Sequence, residues 1–242
     1  MTQPDAKPIF RRVVVKLSGE ALMGGQAHGL DAPTVKRLAA DLAVAVAQGT
    51  EIAGVVGGGN FFRGIQGAEK GIERARADSI GMLATVMNAL ALEGAIEAEG
   101  QAARVLSAVS MPQVCQPYSR QAALAHLAKG RIVVLAGGTG NPFFTTDTGA
   151  ALRAAELSCD AVMKATQVDG VYTADPKRDP NARRYEKLTH DEAIAQNLAV
   201  MDTAAFALAR ENGLTIMVFS IREPQPFSRV LAGTARATLV VP

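Results

Sequence analysis

The chain has 242 residues and a formal net charge of +2, with 48% hydrophobic and 20% charged residues. This length allows one α/β domain or two small ones, and the composition is ordinary for a globular protein. The small net charge gives no support for binding to nucleic acid or to a membrane. The two cysteines and three histidines lack the spacing of metal ligands. We therefore expect a reduced, cytoplasmic setting and no metal held by the protein alone.

Three aliphatic runs end abruptly in glycine, at residues 13–19, 52–60 and 132–141. Continuous apolar runs of this kind are typical of buried parallel strands. Glycine directly after a strand lets the backbone turn tightly and approach a ligand, and clustered backbone N–H groups often bind phosphate. The carboxyl ends of parallel strands meet at one edge of a sheet. The sequence therefore predicts a phosphate-binding enzyme.

The remaining pattern alternates strands with helices, which favours parallel βαβ units. We predict an α/β fold, a three-layer αβα sandwich with a central, mostly parallel sheet. Residues 1–9 are expected to form a flexible segment, and residues 10–242 a single domain. The predicted elements are strand 13–17, a helix between the N-cap Asp31 and Gly49, strand 51–57, a helical region at 73–99 in one or two pieces, strand 103–107, helix 119–129, strand 131–136, helix 147–157, strand 161–165, an irregular segment at 166–184, a short helix opened by a Thr189/Glu192 capping box, helix 203–212, strand 215–219, helix 225–232 and strand 237–241. The most apolar helical stretch, 82–96, is expected to be too short and too polar to span a bilayer.

Two familiar nucleotide-binding motifs are absent from the sequence. A P-loop requires a Gly-Lys pair, and the chain contains none. A dinucleotide-binding fingerprint requires a third glycine, but Phe62 and Phe143 stand at the two candidate positions. Phosphates would therefore be bound by another architecture.

Two lysines, Lys16 and Lys164, end strands that are otherwise apolar. Burial of an unpaired lysine is costly, so each is either a strand-end lysine that reaches solvent or a cation directed at phosphoryl oxygens. Asp147 and Asp202 are the carboxylates expected to hold these ammonium groups. By residue preference, each of these aspartates is more often a helix N-cap than a catalytic group, and a capping role does not exclude a second role in holding the lysines.

Four ordered motifs resemble the amino acid kinase superfamily and, within it, the bacterial UMP kinases. They cover residues 16–22, 57–64 followed by 78–88, 139–147, and 164–176, and the resemblance extends from about residue 9 to residue 241. It implies transfer of the γ-phosphoryl group of ATP to UMP. It also implies a UMP-binding half at about 10–160 and an ATP-binding half at about 161–242.

The resemblance assigns a role to individual residues. Lys16 and Lys164 are the catalytic cations, positioned by Asp147 and Asp202. The residues implied to bind ATP are Lys16, Leu17, Ser18, Gly19, Gly59, Arg63, Thr166, Gln167, Tyr172 and Asp175. The residues implied to bind UMP are Gly58, Asp78, Thr139, Gly140, Asn141, Pro142, Phe143, Phe144, Thr145 and Thr146. Asp78 is expected to accept hydrogen bonds from the ribose, and many relatives have a basic residue where Gln167 stands.

The same resemblance implies Mg²⁺ delivered with ATP, GTP as an activator bound near residues 24–29, UTP as an inhibitor, and a homohexamer. The apolar helix at 82–96 supplies either an interface or core packing. Two alternatives stay open at this point. One is a related kinase with a carboxylate or carbamate acceptor, and the other is a non-catalytic oxyanion-storage protein on the same fold.

Overall fold

The computed structural model describes residues 8–63, 71–176, 178–196, 198 and 201–242. Most of the expected N-terminal segment, residues 1–7, lies outside the described residues. Nine strands within them form one sheet. These are β1 (Arg12–Leu17), β2 (Glu51–Val56), β3 (Ala103–Ser107), β4 (Gln116–Pro117), β5 (Ile132–Ala136), β6 (Ala161–Thr166), β7 (Lys187–Thr189), β8 (Thr215–Ser220) and β9 (Ala237–Val241).

The strands lie in the order β4-β3-β5-β2-β1-β6-β8-β9-β7. Among the described strand pairs, β8 and β9 run antiparallel and the others run parallel. The prediction of a mostly parallel sheet is therefore confirmed. Strands β4 and β7 were not predicted, because they have only two and three residues and leave no hydrophobic pattern.

Seven α-helices in the described part of the chain connect or follow these strands. They are α1 (Ala32–Ala47), α2 (Arg74–Ala98), α3 (Arg120–Leu127), α4 (Thr146–Glu156), α5 (His190–Ala195), α6 (Thr203–Glu211) and α7 (Pro226–Leu231), with a short 3-10 helix at Gly19–Leu22. Asp31 caps α1 by accepting from the Thr34 N–H, and Thr189 and Glu192 form the predicted capping box. The region expected at 73–99 in one or two pieces is a single helix.

The sheet separates two hydrophobic clusters, one on each face. Alternate residues of β1 point in opposite directions, so Val13 and Val15 join one cluster and Val14 joins the other. Helices α1, α2 and α7 cover the first face, and α3, α4, α5 and α6 cover the second. The three-layer αβα sandwich is therefore confirmed.

Helix α2 is longer than the apolar stretch recognised in the sequence. It has 25 residues and a mean hydropathy of 1.5 over its most apolar window, so by length and composition it could cross a membrane. The expected stretch 82–96 is thus part of a longer helix, and one such helix is only weak evidence for a membrane span. The same test is passed by core helices of globular proteins, and Val86, Ala89, Leu92 and Ile96 of α2 are packed in the first hydrophobic cluster.

The glycine turn after β2 packs directly against the backbone of α2. A Cβ atom placed on Gly58 would lie 2.6 Å from the carbonyl oxygen of Gly81 and 2.9 Å from the Cβ of Ala84. Neither atom can move without displacing the helix, so the close approach of turn and helix requires glycine at this position.

We expect Gly58→Ala to lower the free energy of unfolding by about 1–3 kcal/mol, because overpacking forces the turn away from α2. Urea denaturation at constant temperature measures the change. The matched control is Gly54→Ala within β2, where an added Cβ meets no atom within 4 Å. Equal stability of the Gly58 variant and the control would contradict the packing argument.

Candidate active site

Lys16 and Lys164 lie side by side at the centre of the sheet. Their Cα atoms are register partners in the parallel β1–β6 pair, so both side chains leave the same face. Both reach one carboxylate, that of Asp147 near the start of α4. Lys16 Nζ lies 2.8 Å from Asp147 Oδ1, and Lys164 Nζ donates to Oδ2 over 2.6 Å. The alternative of a strand-end lysine that reaches solvent does not hold for Lys16, which is only 9% exposed.

This Lys16–Asp147–Lys164 cluster carries two positive charges and one negative charge. Burial alone would raise the pKa of Asp147, but the charges of Lys16 and Lys164 outweigh it and hold that pKa below its usual value. Burial lowers the pKa of Lys164, an effect that Asp147 opposes and Lys16 reinforces. The cluster therefore keeps an excess of positive charge in a partly desolvated place, where a phosphate group is strongly favoured.

Asp202 is the N-cap of α6, as its residue type suggested, and accepts from the Ala205 N–H over 2.9 Å. The corresponding expectation for Asp147 was wrong. Thr145 caps α4, and Asp147 lies one residue inside that helix. Asp202 also accepts from the hydroxyl groups of Thr145 and Thr148. It therefore joins the starts of α4 and α6, and through α4 it fixes the carboxylate shared by the lysines.

The turns after β1 and β2 interlock. Ser18 caps the 3-10 helix by accepting from the Ala21 N–H, so its hydroxyl proton stays available as a donor. Gly19 packs so closely that an added Cβ would overlap the side chain of Asn60 and approach Gly59 N to 2.7 Å. The backbone of Leu17 accepts from the Gly57 N–H over 2.8 Å. Residues 17–19 and 57–59 thus form one continuous lining.

The side-chain amides of Asn60 and Asn88 form a buried pair next to this lining. Asn60 and Asn88 donate to each other over 2.9 and 2.7 Å, and Asn88 also donates to the Gly57 carbonyl over 2.6 Å. Asn60 uses its other N–H on the carbonyl of Gly29. All four side-chain N–H donors of the pair are therefore satisfied, which fixes both amides in one orientation.

The lining of a cavity of about 520 Å³ includes Thr145 and Thr146, which directly precede Asp147 of the cluster. Most residues expected to bind UMP line it, and Gly59 and Arg63, which the resemblance assigned to ATP, line it too. The expected residues in its lining are Gly58, Gly59, Arg63, Asp78, Thr139, Asn141, Phe144, Thr145 and Thr146. Arg63 also forms an ion pair with Glu20, and Gly140 turns with a φ of 83° against Ala108.

A second cavity of about 510 Å³ has Lys164 in its lining. Three residues expected to bind ATP line it: Thr166, Tyr172 and Asp175. The side chain of Gln167 instead accepts from the Nε of Arg222 over 2.5 Å. The guanidinium of Arg222, just after β8, therefore lies next to Gln167. Many relatives have a basic residue at position 167 itself.

Several polar residues at the site were not found in the sequence. Asn60, Asn88, Arg74, Thr148, Arg153 and Arg222 each contact an expected site residue or a residue of the glycine turns beside the site. Arg153, for example, is buried in α4 and donates to the carbonyl of Gly138. Asn88 breaks an otherwise apolar helical stretch, which was a usable signal. Arg74 and Arg222 resemble any exposed arginine until the fold brings their partners near.

The interlocked glycine turns, the excess of buried positive charge and the start of α4 beside it define a phosphate-handling α/β protein. The chain belongs to the amino acid kinase family, because the model of that family matches residues 11–220.

Named relatives show which members of this family the chain is similar to. The uridylate kinase of Azorhizobium caulinodans is 61% identical over 96% of this chain and 98% of its own length, and that of Nitrobacter hamburgensis is 59% identical over 97% and 98%. The crystal structure of UMP kinase from Ureaplasma parvum superposes with a TM-score of 0.92 at 36% identity. That alignment covers 96% of this chain and 99% of the other.

We expect Asp147→Asn to lower kcat about 100-fold or more, because both ammonium groups lose the charge that orients them. The free energy of unfolding should fall by about 3 kcal/mol, since two buried lysines are left without an anion. Steady-state kinetics and urea denaturation measure the two effects. Asp191→Asn is the matched control, because its ion pair with Arg210 is exposed and worth little. A variant with unchanged kcat would remove Asp147 from the mechanism.

Proposed function

We propose that this chain transfers the γ-phosphoryl group of ATP to UMP, giving UDP and ADP, in pyrimidine nucleotide biosynthesis. The observation that carries the proposal is the position of the Lys16–Asp147–Lys164 cluster. Lys164 lines one cavity, and Asp147 directly follows Thr146, which lines the other. UMP as the acceptor is supported by relatives that are named uridylate kinases and are similar over nearly their whole length.

The chemistry suits the groups that the site provides. Phosphoryl transfer passes through a loose transition state, so catalysis is mainly positioning and electrostatic stabilisation. Lys16 and Lys164 neutralise charge on the migrating group as it passes in line from donor to acceptor. The acceptor phosphate of a nucleoside monophosphate has a second pKa of about 6 and is already anionic at neutral pH, so no general base is needed.

We assign the two cavities to the two nucleotides. The cavity formed by residues 58–146 takes UMP, and the cavity formed by residues 164–218 takes ATP. The chain then divides into a UMP-binding half at about 10–160 and an ATP-binding half at about 161–242. Gly59 and Arg63 line the UMP cavity, beside the turn at 17–19. Their assignment to ATP therefore applies to its terminal phosphate, where the two nucleotides meet.

Mg²⁺ enters this proposal as an ion bound to the ATP phosphates. The described residues contain no group of three or more His, Cys, Asp or Glu side chains placed to hold a metal. The nearby carboxylates Asp147 and Asp202 are already engaged with lysine and threonine side chains. Such a donor set fits a metal that phosphate oxygens and water hold, which is common for Mg²⁺. The bound ion would supply additional charge neutralisation on those oxygens.

Regulation by GTP as an activator and by UTP as an inhibitor belongs to the same proposal. Gly29 ends the 24–29 segment where GTP is expected. Its N–H donates to the Asn60 carbonyl over 3.0 Å, and its own carbonyl accepts from the Asn60 side chain. An effector at this segment would therefore act on the glycine turn at 57–60.

The free cysteines Cys115 and Cys159 suit a cytoplasmic location.

The proposed homohexamer is supported by an apolar face of α2. Val86 and Leu92 of the expected helix are core residues, but Ile80, Leu83 and Met87 are exposed by 36%, 48% and 52%. Their spacing places them on one side of the helix. Such an exposed apolar strip is typical of an assembly surface.

We expect ADP to form with ATP and UMP, much more slowly with CMP, and not with aspartate or acetylglutamate. A coupled ADP-release assay measures this, with EDTA to remove Mg²⁺ and with GTP or UTP added separately. Lys164→Ala should lower kcat far more than it raises the KM for UMP. ADP formation with an amino acid but not with UMP would overturn the proposal. Oxyanion binding without any ATP-dependent product would instead favour a storage protein.

We expect Leu83→Glu to reduce the mass of the assembly, because a charge in the apolar strip opposes its burial. Sedimentation velocity at several protein concentrations measures the mass. Ile194→Glu is the matched control, since Ile194 is exposed by 38% on a different helix, α5. An unchanged mass for the Leu83 variant would exclude this face as an interface.

A further inference from the structure

Arg74, in the first turn of α2, contacts Asp78, which lines the acceptor cavity with it, and Phe143, which directly precedes the lining residue Phe144. Its Nε lies 3.0 and 2.8 Å from the two carboxylate oxygens of Asp78, and its guanidinium carbon lies 5.7 Å from the centre of the Phe143 ring. Asp78 also accepts from the Phe143 N–H over 2.8 Å. Arg74, Asp78 and Phe143 therefore form a closed set, which we call the Arg74 triad.

The triad holds a backbone conformation that is otherwise unfavourable. Phe143 has a φ of 72°, in the left-handed region that an aromatic residue rarely adopts. Its side chain is 65% exposed, so burial contributes little to holding this conformation. The carboxylate below its N–H and the guanidinium beside its ring are the contacts that hold it.

An arginine and an aspartate four residues apart on a helix often form a surface pair of little consequence. Three observations separate the Arg74–Asp78 pair from that common case. Asp78 has a side chain only 14% exposed, and it bonds to a residue 65 positions away in the chain. Arg74 and Asp78 also line the acceptor cavity together.

An ionised carboxylate has about four acceptor positions. Arg74 and Phe143 occupy positions on both oxygens of Asp78, so its orientation is fixed and its remaining capacity can serve a ligand in the cavity. We propose that Arg74 is a positioning residue for acceptor specificity. It fixes Asp78 in the direction that accepts a ribose hydroxyl, so that the site distinguishes a ribonucleotide from a deoxyribonucleotide. This inference rests on the proposed function, in which Asp78 contacts the UMP ribose.

The experiment compares kcat/KM for UMP and for dUMP at saturating ATP. The wild type is measured first. Activity with UMP tests the proposed function, and a preference for UMP over dUMP is what Arg74 is inferred to support. A wild type that uses UMP and dUMP equally would overturn the inference and leave the proposed function standing.

Arg74→Gln is expected to lower kcat/KM for UMP about tenfold, the effect of a weakened charge-assisted hydrogen bond. The value for dUMP should change little, so the preference for UMP shrinks, and the KM for ATP should stay constant. Arg74→Lys keeps the charge without the guanidinium geometry and should not restore the preference. Equal losses for UMP and dUMP would mean that Arg74 acts on the phosphate or on the fold, and would overturn the inference.

Two further variants test whether Arg74 acts through Asp78. Asp78→Asn should reduce the same preference, and the double variant Arg74→Gln/Asp78→Asn should be no worse than Asp78→Asn alone. Additive losses would contradict the inference. Arg76→Gln is the matched control, because Arg76 lies exposed on the same helical turn and should leave the UMP preference unchanged.

Discussion

One carboxylate shared by two buried ammonium groups is the constraint on which the site depends. Lys16 and Lys164 are register neighbours on adjacent strands, and two like charges at such positions repel each other. Asp147 gives one oxygen to each of them, which offsets the repulsion and leaves one positive charge uncompensated. Anionic phosphates would complete the neutralisation and would raise the lowered pKa of Lys164. The free protein therefore has an excess of positive charge that a bound anionic ligand would neutralise.

The placement of Asp147 depends in turn on how two helices begin. Asp202 caps α6 and also binds the hydroxyl groups of Thr145 and Thr148, the first of which caps α4. The side chain of Asp202 therefore sets α4 relative to α6, and α4 places Asp147 at the strand ends. The role expected for Asp202, holding the catalytic cations, stays a prediction. Its contacts reach the lysines through α4, and its charge raises the pKa of Lys164 against the effect of burial.

What the sequence could predict followed from local patterns. Apolar runs ending in glycine marked the central strands, and Asp31 and Thr189 marked helix starts, because these signals depend on near neighbours only. The register that aligns Lys16 with Lys164, the pairing of Asn60 with Asn88 and the contact of Arg74 with Phe143 join distant segments. No local pattern encodes them. The prediction of Asp147 as a cap failed because Thr145, two residues earlier, is also a capping residue and lies at the actual helix start, although Asp is the more favoured cap by residue type.

The two lysines and the cavity that we assign to UMP lie in different parts of the fold. The lysines stand on central strands that pack on both faces, so their geometry is set by the core and not by the ligand. The cavity that we assign to UMP is lined in part by the start of α2 and by the loop before α4, where a strained Phe143 contacts Asp78 and Arg74. Changes in these segments can alter the acceptor without disturbing the cluster between the strands. Membership of a fold family therefore does not fix the substrate by itself, and the acceptor has to be argued from the residues of the cavity.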